Sequence, residues 1–272
     1  MTLRIGWFTT ARGPGSRAMF EAVRAAIDAG AMDAELAVVF CNRERGEADA
    51  TDSFFDLVAE GGTPLVTRSS VHYRRQVGGK LSRPGEPLPA WRLEYDRLVD
   101  EDLESHPFEI GMLAGYMLIL EREFVERHAV LNLHPALPTG PAGMWQAVIR
   151  QLIREGAEES GVMLHRAIAE VDEGPVVAYC RYPLRDPELE ALRERLPGPP
   201  AELDDATLDA SDLFAAIRAR GVAREAPLVV ATLAEFAAAR RRVEGPLILD
   251  ASGARAEPAD LTSEVDAQLG RA

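Results

Sequence analysis

Residues 130–143 read VLNLHPALPTGPAG. A run that begins as a buried strand closes on Asn132 and His134 and then breaks into a loop of Pro, Gly and Ala. A strand in the interior of a parallel sheet carries a near-continuous apolar sequence, so an amide and an imidazole at its end call for a chemical reason.

Working outward, apolar runs of strand length alternate with segments of helical period. The strand candidates are residues 3–10, 34–41, 63–67, 108–115 and 129–134. Between them, RAMFEAVRAAIDAG, DSFFDLVAEGG, PAWRLEYDRLVDEDLESH and EREFVERH repeat their apolar residues at three and four. This alternation predicts an α/β fold with a mainly parallel central sheet and helices on both faces. In such sheets ligands bind outside the carboxyl ends of the strands, which is where Asn132 and His134 fall.

The second half changes character. After the helical segment MWQAVIRQLIREG, residues 161–171 and 174–184 read as two strands joined through Asp172 and Glu173. Residues 185–212 are acidic, carry proline and lack a clean apolar period, and they read as an inserted surface excursion. LFAAIRARG and APLVVATLAEFAAARRR return to helix, and GPLILDASGARAEP reads as a hairpin around Ser252 and Gly253. The expected organisation is a catalytic domain over 1–184, the acidic insertion 185–212, and C-terminal helices and a hairpin over 213–272 completing the same domain.

With 272 residues, 47% of them hydrophobic and 27% charged, the chain can bury a sizeable core. Its formal charge of -14, from 44 acidic against 30 basic residues, disfavours nucleic acid or an anionic membrane as partner. Small molecules remain, including anionic ones where arginines gather. The two cysteines, Cys41 and Cys180, sit in strand-like segments outside any ligand spacing and read as buried reduced thiols. That usage, with no leader-like start and no apolar run of about 18 residues, gives a cytoplasmic expectation. A homodimer is left open.

Five histidines are present, at 72, 106, 128, 134 and 165, and none forms an HxxxH or HExxH pair, so no metal is expected. GxSxG is absent as well. What remains is Asn132, His134 and a later carboxylate, Asp172. An amide donor, an imidazole and a carboxylate can stabilise an oxyanion, move one proton and hold the imidazole's charge state, which suits acyl transfer without a covalent enzyme intermediate.

LNLHPALP, the downstream GVMLHRAIAEVDEGPVV with its H-x6-D-x-G-P spacing, and MLAGYMLIL at 112–120 together resemble the folate-dependent formyltransferases, in particular the phosphoribosylglycinamide formyltransferase branch. IGWFTTARGPGSRAMFEAV, AVVFCNRERGEA and REAPLVVATLAEF are also similar. The resemblance implies a formyltransferase-type Rossmann-like fold and 10-formyltetrahydrofolate as co-substrate. By matching position it makes Asn132, His134 and Asp172 catalytic, with His165 supporting them. It places the folate against Met117, Leu118, Ile119, Leu120, Glu170 and Val171. It places the acceptor phosphate in the first loop, at Arg12, Gly13, Gly15, Ser16 and Arg17, where a helix start offers free amides. The implied reaction is transfer of the formyl group to the amine of glycinamide ribonucleotide, in purine biosynthesis.

Three departures bear on that expectation. Many relatives have arginine where Leu118 stands, the first loop is longer than their G-x-G-S-N, and the stretch after His134 is shorter and lacks their lysine or tyrosine and histidine. Two other outcomes therefore stay open: a formyltransferase acting on another amine, such as a nucleotide-linked amino sugar, and a 10-formyltetrahydrofolate hydrolase. The hydrolase is disfavoured because its relatives carry a regulatory domain ahead of the core, whereas this chain starts on its first strand.

Overall fold

The computed structural model describes residues 2–82 and 86–270. In chain order it runs β1 (Leu3–Thr9), α1 (Pro14–Asp28), β2 (Ala34–Cys41), α2 (Asp49–Glu60), β3 (Leu65–Thr67), α3 (Ser70–Gln76), α4 (Trp91–Leu103), β4 (Ile110–Leu113), α5 (Arg122–Arg127), β5 (Val130–His134), α6 (Trp145–Glu155), β6 (Glu159–Arg166) and β7 (Val176–Pro183). Then follow α7 (Pro187–Arg193), a single 3-10 turn (Pro200–Glu202), α8 (Asp205–Asp209), α9 (Asp212–Ala237), β8 (Arg241–Glu244), β9 (Leu247–Asp250), β10 (Ala259–Asp260) and α10 (Thr262–Gln268).

Eight strands form one sheet in the order β10-β7-β6-β5-β4-β1-β2-β3. Pairing is parallel except at β5–β6 and β6–β7. The period-two geometry of a strand sends neighbouring side chains to opposite faces, and two cores result. Ile5, Trp7, Val39, Cys41 and Leu131 pack on one face with α1, α2, α6, α9 and α10. Phe8, Val38, Phe40 and Val130 pack on the other with α4 and α5. Trp7 meets Phe20 of α1 edge to face, while its neighbour Phe8 meets Phe124 of α5 in the same manner. Burial pushes the Cys41 and Cys180 thiols up to about 12, and both remain free.

The chain leaves β1 for β2 and β3 on one side, then crosses back to place β4 and β5 on the other. Connections departing in opposite directions open a crevice at the carboxyl ends of β1 and β4. The alternating sequence pattern foretold the mainly parallel sheet with helices on both faces, and the strand order came only with the structure.

Several local readings change. The strand expected over 161–171 stops at Arg166, because residues 167–175 turn back on it. The two C-terminal helices are one, α9, of 26 residues; Pro227 lies inside it. Proline removes one intrahelical donor, but Leu228 and Val229 are buried immediately after it and hold the helix against the sheet. The hairpin turns at Gly245, whose φ of +55° supplies the left-handed backbone, rather than at Ser252 and Gly253. Those two residues form a second reversal, in which the Asp250 carboxylate accepts from the N–H groups of Ser252 and Ala254. The period in the sequence did not reveal α3, β10 or α10, which are at most seven residues long.

Residues 185–212 were expected as a surface excursion. They form α7, the 3-10 turn and α8, and Leu189 and Leu208 are 0% exposed in the main core. Short helices with one buried leucine each leave no period to read. Leu208→Ala should cost about 2–5 kcal/mol in urea unfolding, the range for a buried leucine losing its side chain. A cost under about 0.5 kcal/mol is the surface-residue outcome and would return this segment to the periphery.

Candidate active site

Asn132 and His165 face one another across the antiparallel β5–β6 pair. Directly opposed residues bring their side chains into contact, and Asn132 Nδ2 lies 3.1 Å from His165 Nε2. His165 Nδ1 is 3.2 Å from the Arg166 carbonyl, which can only accept. Nδ1 therefore carries a proton, and Nε2 faces the Asn132 amide.

Asp172 completes the cluster. Asn132 Nδ2 also donates to its Oδ1 at 3.4 Å, His165 Nε2 is 3.5 Å from the same oxygen, and His134 Nδ1 is 3.7 Å from Oδ2. On its other side His134 donates from Nε2 to the Pro141 carbonyl at 3.1 Å. Both imidazoles are buried, and Asp172 is partly so. His165 is the first cause, through its hydrogen bond, of an Asp172 carboxyl held below the usual range; the two imidazoles and Asn132 add to this, against desolvation.

A tight turn delivers this carboxylate. Glu173 N–H closes on the Glu170 carbonyl, and Asp172 sits at φ +60°, a left-handed conformation that aspartate tolerates better than most residues. The chain then runs so close to β6 that a Cβ on Gly174 would lie 1.7 Å from the Arg166 carbonyl oxygen. Arg166 N–H bonds Pro175 O at 2.9 Å in the same contact.

Beside the cluster, a cleft of about 500 Å³ occupies the crevice between β1 and β4. Arg12, Gly13, Gly15 and Ser16 line it, with Tyr116, Met117, Asn132, Met144, Trp145, Arg218 and Glu225. Gly13 is the N-cap of α1 with no side-chain cap bond, and Ser16 Oγ donates to Gly13 O, so among the described residues the first-turn amides of α1 have no side-chain acceptor. Such amides at the positive end of a helix favour an anion. Gly115, at φ +69°, lets the loop after β4 approach α1, where a Cβ would stand 3.0 Å from Ser16 Cβ.

The remaining sequence-selected residues divide. Arg17 is turned from the cleft: Nε pairs with Glu21 at 3.0 Å and Nη1 donates to Ser53 at 3.0 Å. Its place on the outer side of the α1 turn is a matter of helical phase, which a Gly-Pro loop of unknown length conceals. Met117 is 62% exposed at the mouth, Ile119 is also exposed, and Leu118 and Leu120 pack into the second core rather than the cleft. Val171 is exposed, and Glu170 pairs with Arg122 at 2.9 Å.

Sequence reasoning missed Trp145, Arg218 and Glu225. The Arg218 guanidinium lies 4.6 Å over the Trp145 ring and 2.9 Å from Glu225 Oε1. Burial pushes the Glu225 carboxyl up, against the pull of Arg218. Its Oε2 is 3.6 Å from where a Cβ on Gly15 would be. The available signal was Glu225 itself, a charge at the head of the apolar run APLVV. A larger depression of about 810 Å³, lined by Arg4, Arg24 and Glu35, opens at the amino ends of β1 and β2 and holds none of these groups.

A formyl transferase family model matches residues 13–196. The phosphoribosylglycinamide formyltransferase of Escherichia coli (strain K12) is 34% identical over 95 residues, covering 34% of this chain and 44% of that protein. The match thus spans less than half the length of this curated relative. Among solved structures, glycinamide ribonucleotide transformylase 1 from Symbiobacterium toebii superposes with a TM-score of 0.63 at 22% identity, over 91% of this chain and 93% of that one. Formyltetrahydrofolate deformylase from Burkholderia mallei ATCC 23344 gives 0.60 at 14%, over 92% and 70%. At these identities the likeness is one of fold, and transferase and deformylase share it.

Two outcomes follow from the turn. Gly174→Ala should push the Asp172 turn off β6 and lower activity by at least about tenfold, with circular dichroism of the folded chain unchanged; wild-type turnover would show that the turn has other room. Because the folded Asp172 carboxyl is depressed, its stabilising contribution is present above its unfolded value of about 3.9 and lost as pH falls through the lower folded value. The stability gap between wild type and Asp172→Asn should therefore shrink as pH drops from about 5 to about 2 in denaturant titrations; a gap that widens over that window would contradict the assignment.

Proposed function

The chain belongs to the formyl transferase family, and on that premise we propose that it transfers the formyl group of 10-formyltetrahydrofolate to the amine of a small phosphorylated acceptor, glycinamide ribonucleotide, in purine biosynthesis. The observation that carries this reading is the convergence of Asn132, His134, His165 and Asp172 beside a cleft with an anion-compatible helix start. The name of the Escherichia coli relative supports the choice of acceptor.

In this mechanism the acceptor nitrogen attacks the formyl carbon and the carbonyl becomes an oxyanion. Asn132 Nδ2–H and protonated His134 donate to that oxygen. The attacking nitrogen gives up a proton, the carbon–N10 bond of the folate breaks, and N10 takes a proton. Asp172 holds the imidazolium and passes the proton, directly or through water. His134 Nε2–H is bonded to the Pro141 carbonyl in the free chain, so the oxyanion competes with that carbonyl for the same donor. Arg12 and the α1 amides take the acceptor's phosphate, while Met117 and the loop after β4 face the folate. Both substrates are small molecules. Among the described residues no helix is long and apolar enough to cross a membrane.

A turnover assay with 10-formyltetrahydrofolate, glycinamide ribonucleotide and a panel of other amines, including nucleotide-linked amino sugars, tests the reading. Tetrahydrofolate should form only when glycinamide ribonucleotide is present. Full-rate formate release without any amine identifies a hydrolase instead. In the same assay His134→Ala and Asp172→Asn should each lower kcat by about a hundredfold or more, the scale of one lost oxyanion donor. The double variant should fall little further, because groups acting as a unit are not additive. Retention of more than about a tenth of wild-type activity by His134→Ala, a loss under ~1.4 kcal/mol, would make the strand end scaffolding.

A further inference from the structure

The loop between β4 and α5 is tied at both ends by side chains. At its start Thr10 Oγ1 accepts from Met117 N–H at 2.9 Å, and Thr10 N–H donates to Gly115 O at 3.1 Å. At its far end a pair from α4 reaches under the backbone. Arg92 Nη2 donates both to the Ile119 carbonyl at 2.8 Å and to Asp96 Oδ1 at 3.0 Å, and Asp96 Oδ2 accepts from Glu121 N–H at 2.7 Å. Between these ties, among the described residues, the N–H groups of Leu118, Ile119 and Leu120 have no hydrogen-bond partner in the protein.

Arg92 is 1% exposed and Asp96 is 2% exposed. The guanidinium carbon lies 5.3 Å from the Trp91 ring centroid and 5.6 Å from that of Tyr95, so aromatic faces enclose the charge. A buried ion pair is weak evidence for stability, since well-packed apolar side chains of similar volume often serve as well or better. What apolar side chains cannot do is grip a carbonyl at 119 and an amide at 121 together. The pair is aimed at the backbone of one loop and does both.

We propose that Arg92 and Asp96 are positioning residues for the formyl donor: they set the backbone of residues 117–121 so that the free amides present a fixed hydrogen-bonding edge to the flat, amide-bearing pterin ring. This rests on the folate reading of the preceding subsection. Leu120 points into the second core and anchors the loop from within, while Met117 and Ile119 remain at the surface to cover the ring. Neither Arg92 nor Asp96 lines the cleft, so neither touches the reacting atoms.

The test uses the full chain and the double variant Arg92→Met/Asp96→Leu, which removes both charges and leaves neither one stranded. Amide hydrogen exchange in the ligand-free protein should accelerate by roughly tenfold or more at Glu121, the amide that the pair holds, with β4 and β5 unchanged. The dissociation constant of tetrahydrofolate, read by calorimetry, and the KM for 10-formyltetrahydrofolate should each rise roughly tenfold, with kcat and the acceptor KM within about threefold of wild type. A folded double variant with wild-type exchange and wild-type folate binding overturns the proposal, as does a fall in kcat at constant folate KM. Failure of the wild-type protein to bind tetrahydrofolate would defeat the folate reading, and with it the pterin as the occupant of this edge. Should the double variant not fold, Asp96→Asn gives the same readouts with one acceptor for Glu121 N–H retained. A folate KM raised about threefold or more supports the pair's role, and an unchanged one overturns it.

Discussion

The contact between Gly174 and the carbonyl of Arg166 governs the geometry of the Asn132, His134, His165 and Asp172 cluster. Only a residue without a Cβ lets the chain fold back onto the end of β6 at that distance. Because it does, Asp172 is held at positive φ over the β5–β6 pair, with its carboxylate within reach of Asn132, His134 and His165. The antiparallel pairing supplies the other half of the constraint, by setting Asn132 directly opposite His165. The outer ring nitrogens are taken by backbone carbonyls, His165 Nδ1 by Arg166 O and His134 Nε2 by Pro141 O, which turns the inner ones toward Asp172.

Charge is distributed with similar economy. The chain carries a formal charge of -14, yet its cleft combines Arg12, an uncapped helix start and Arg218. Arg218 is shared between the face of Trp145 and the buried Glu225 carboxylate, so part of the positive charge lining the cleft is already committed. Arg17, which the sequence places beside the same glycine loop, is spent on Glu21 and Ser53. Sign and strength of an anion site therefore depend on which arginines remain uncommitted after folding, and a count of basic residues near a glycine loop does not report it.

Much of the architecture was legible before folding was considered. The period-two and period-3.6 segments from 3 to 134 gave the order of strands and helices. A polar strand end marked Asn132 and His134, and the spacing around Asp172 marked the third group. Legibility failed where the signal depends on length or on distant partners. Helices such as α3, α7 and α8 are too short for a period, and α9 continues through Pro227 because the sheet beneath it supports both sides. Trp145, Arg218 and Glu225 lie far along the chain from the loop they face, and nothing local sets them apart from ordinary helix residues.

The sequence by itself determined the alternating α/β pattern, the strand that ends in an amide and an imidazole, and the turn chemistry that brings an aspartate before Gly-Pro. These are local matters, decided by side-chain periodicity and by which residues tolerate unusual backbone angles. Tertiary structure alone decided that β6 runs antiparallel to β5 and so supplies His165 at the right register, that Arg92 and Asp96 sit beneath the loop after β4, and that α9 closes the cleft from the far end of the chain. The reason is that hydrogen bonds and ion pairs between residues 25 to 40 positions apart, such as Asp96 to Glu121 and Asn132 to Asp172, have no periodic trace in the sequence; they exist only once burial has brought the partners together and withdrawn water as the alternative partner.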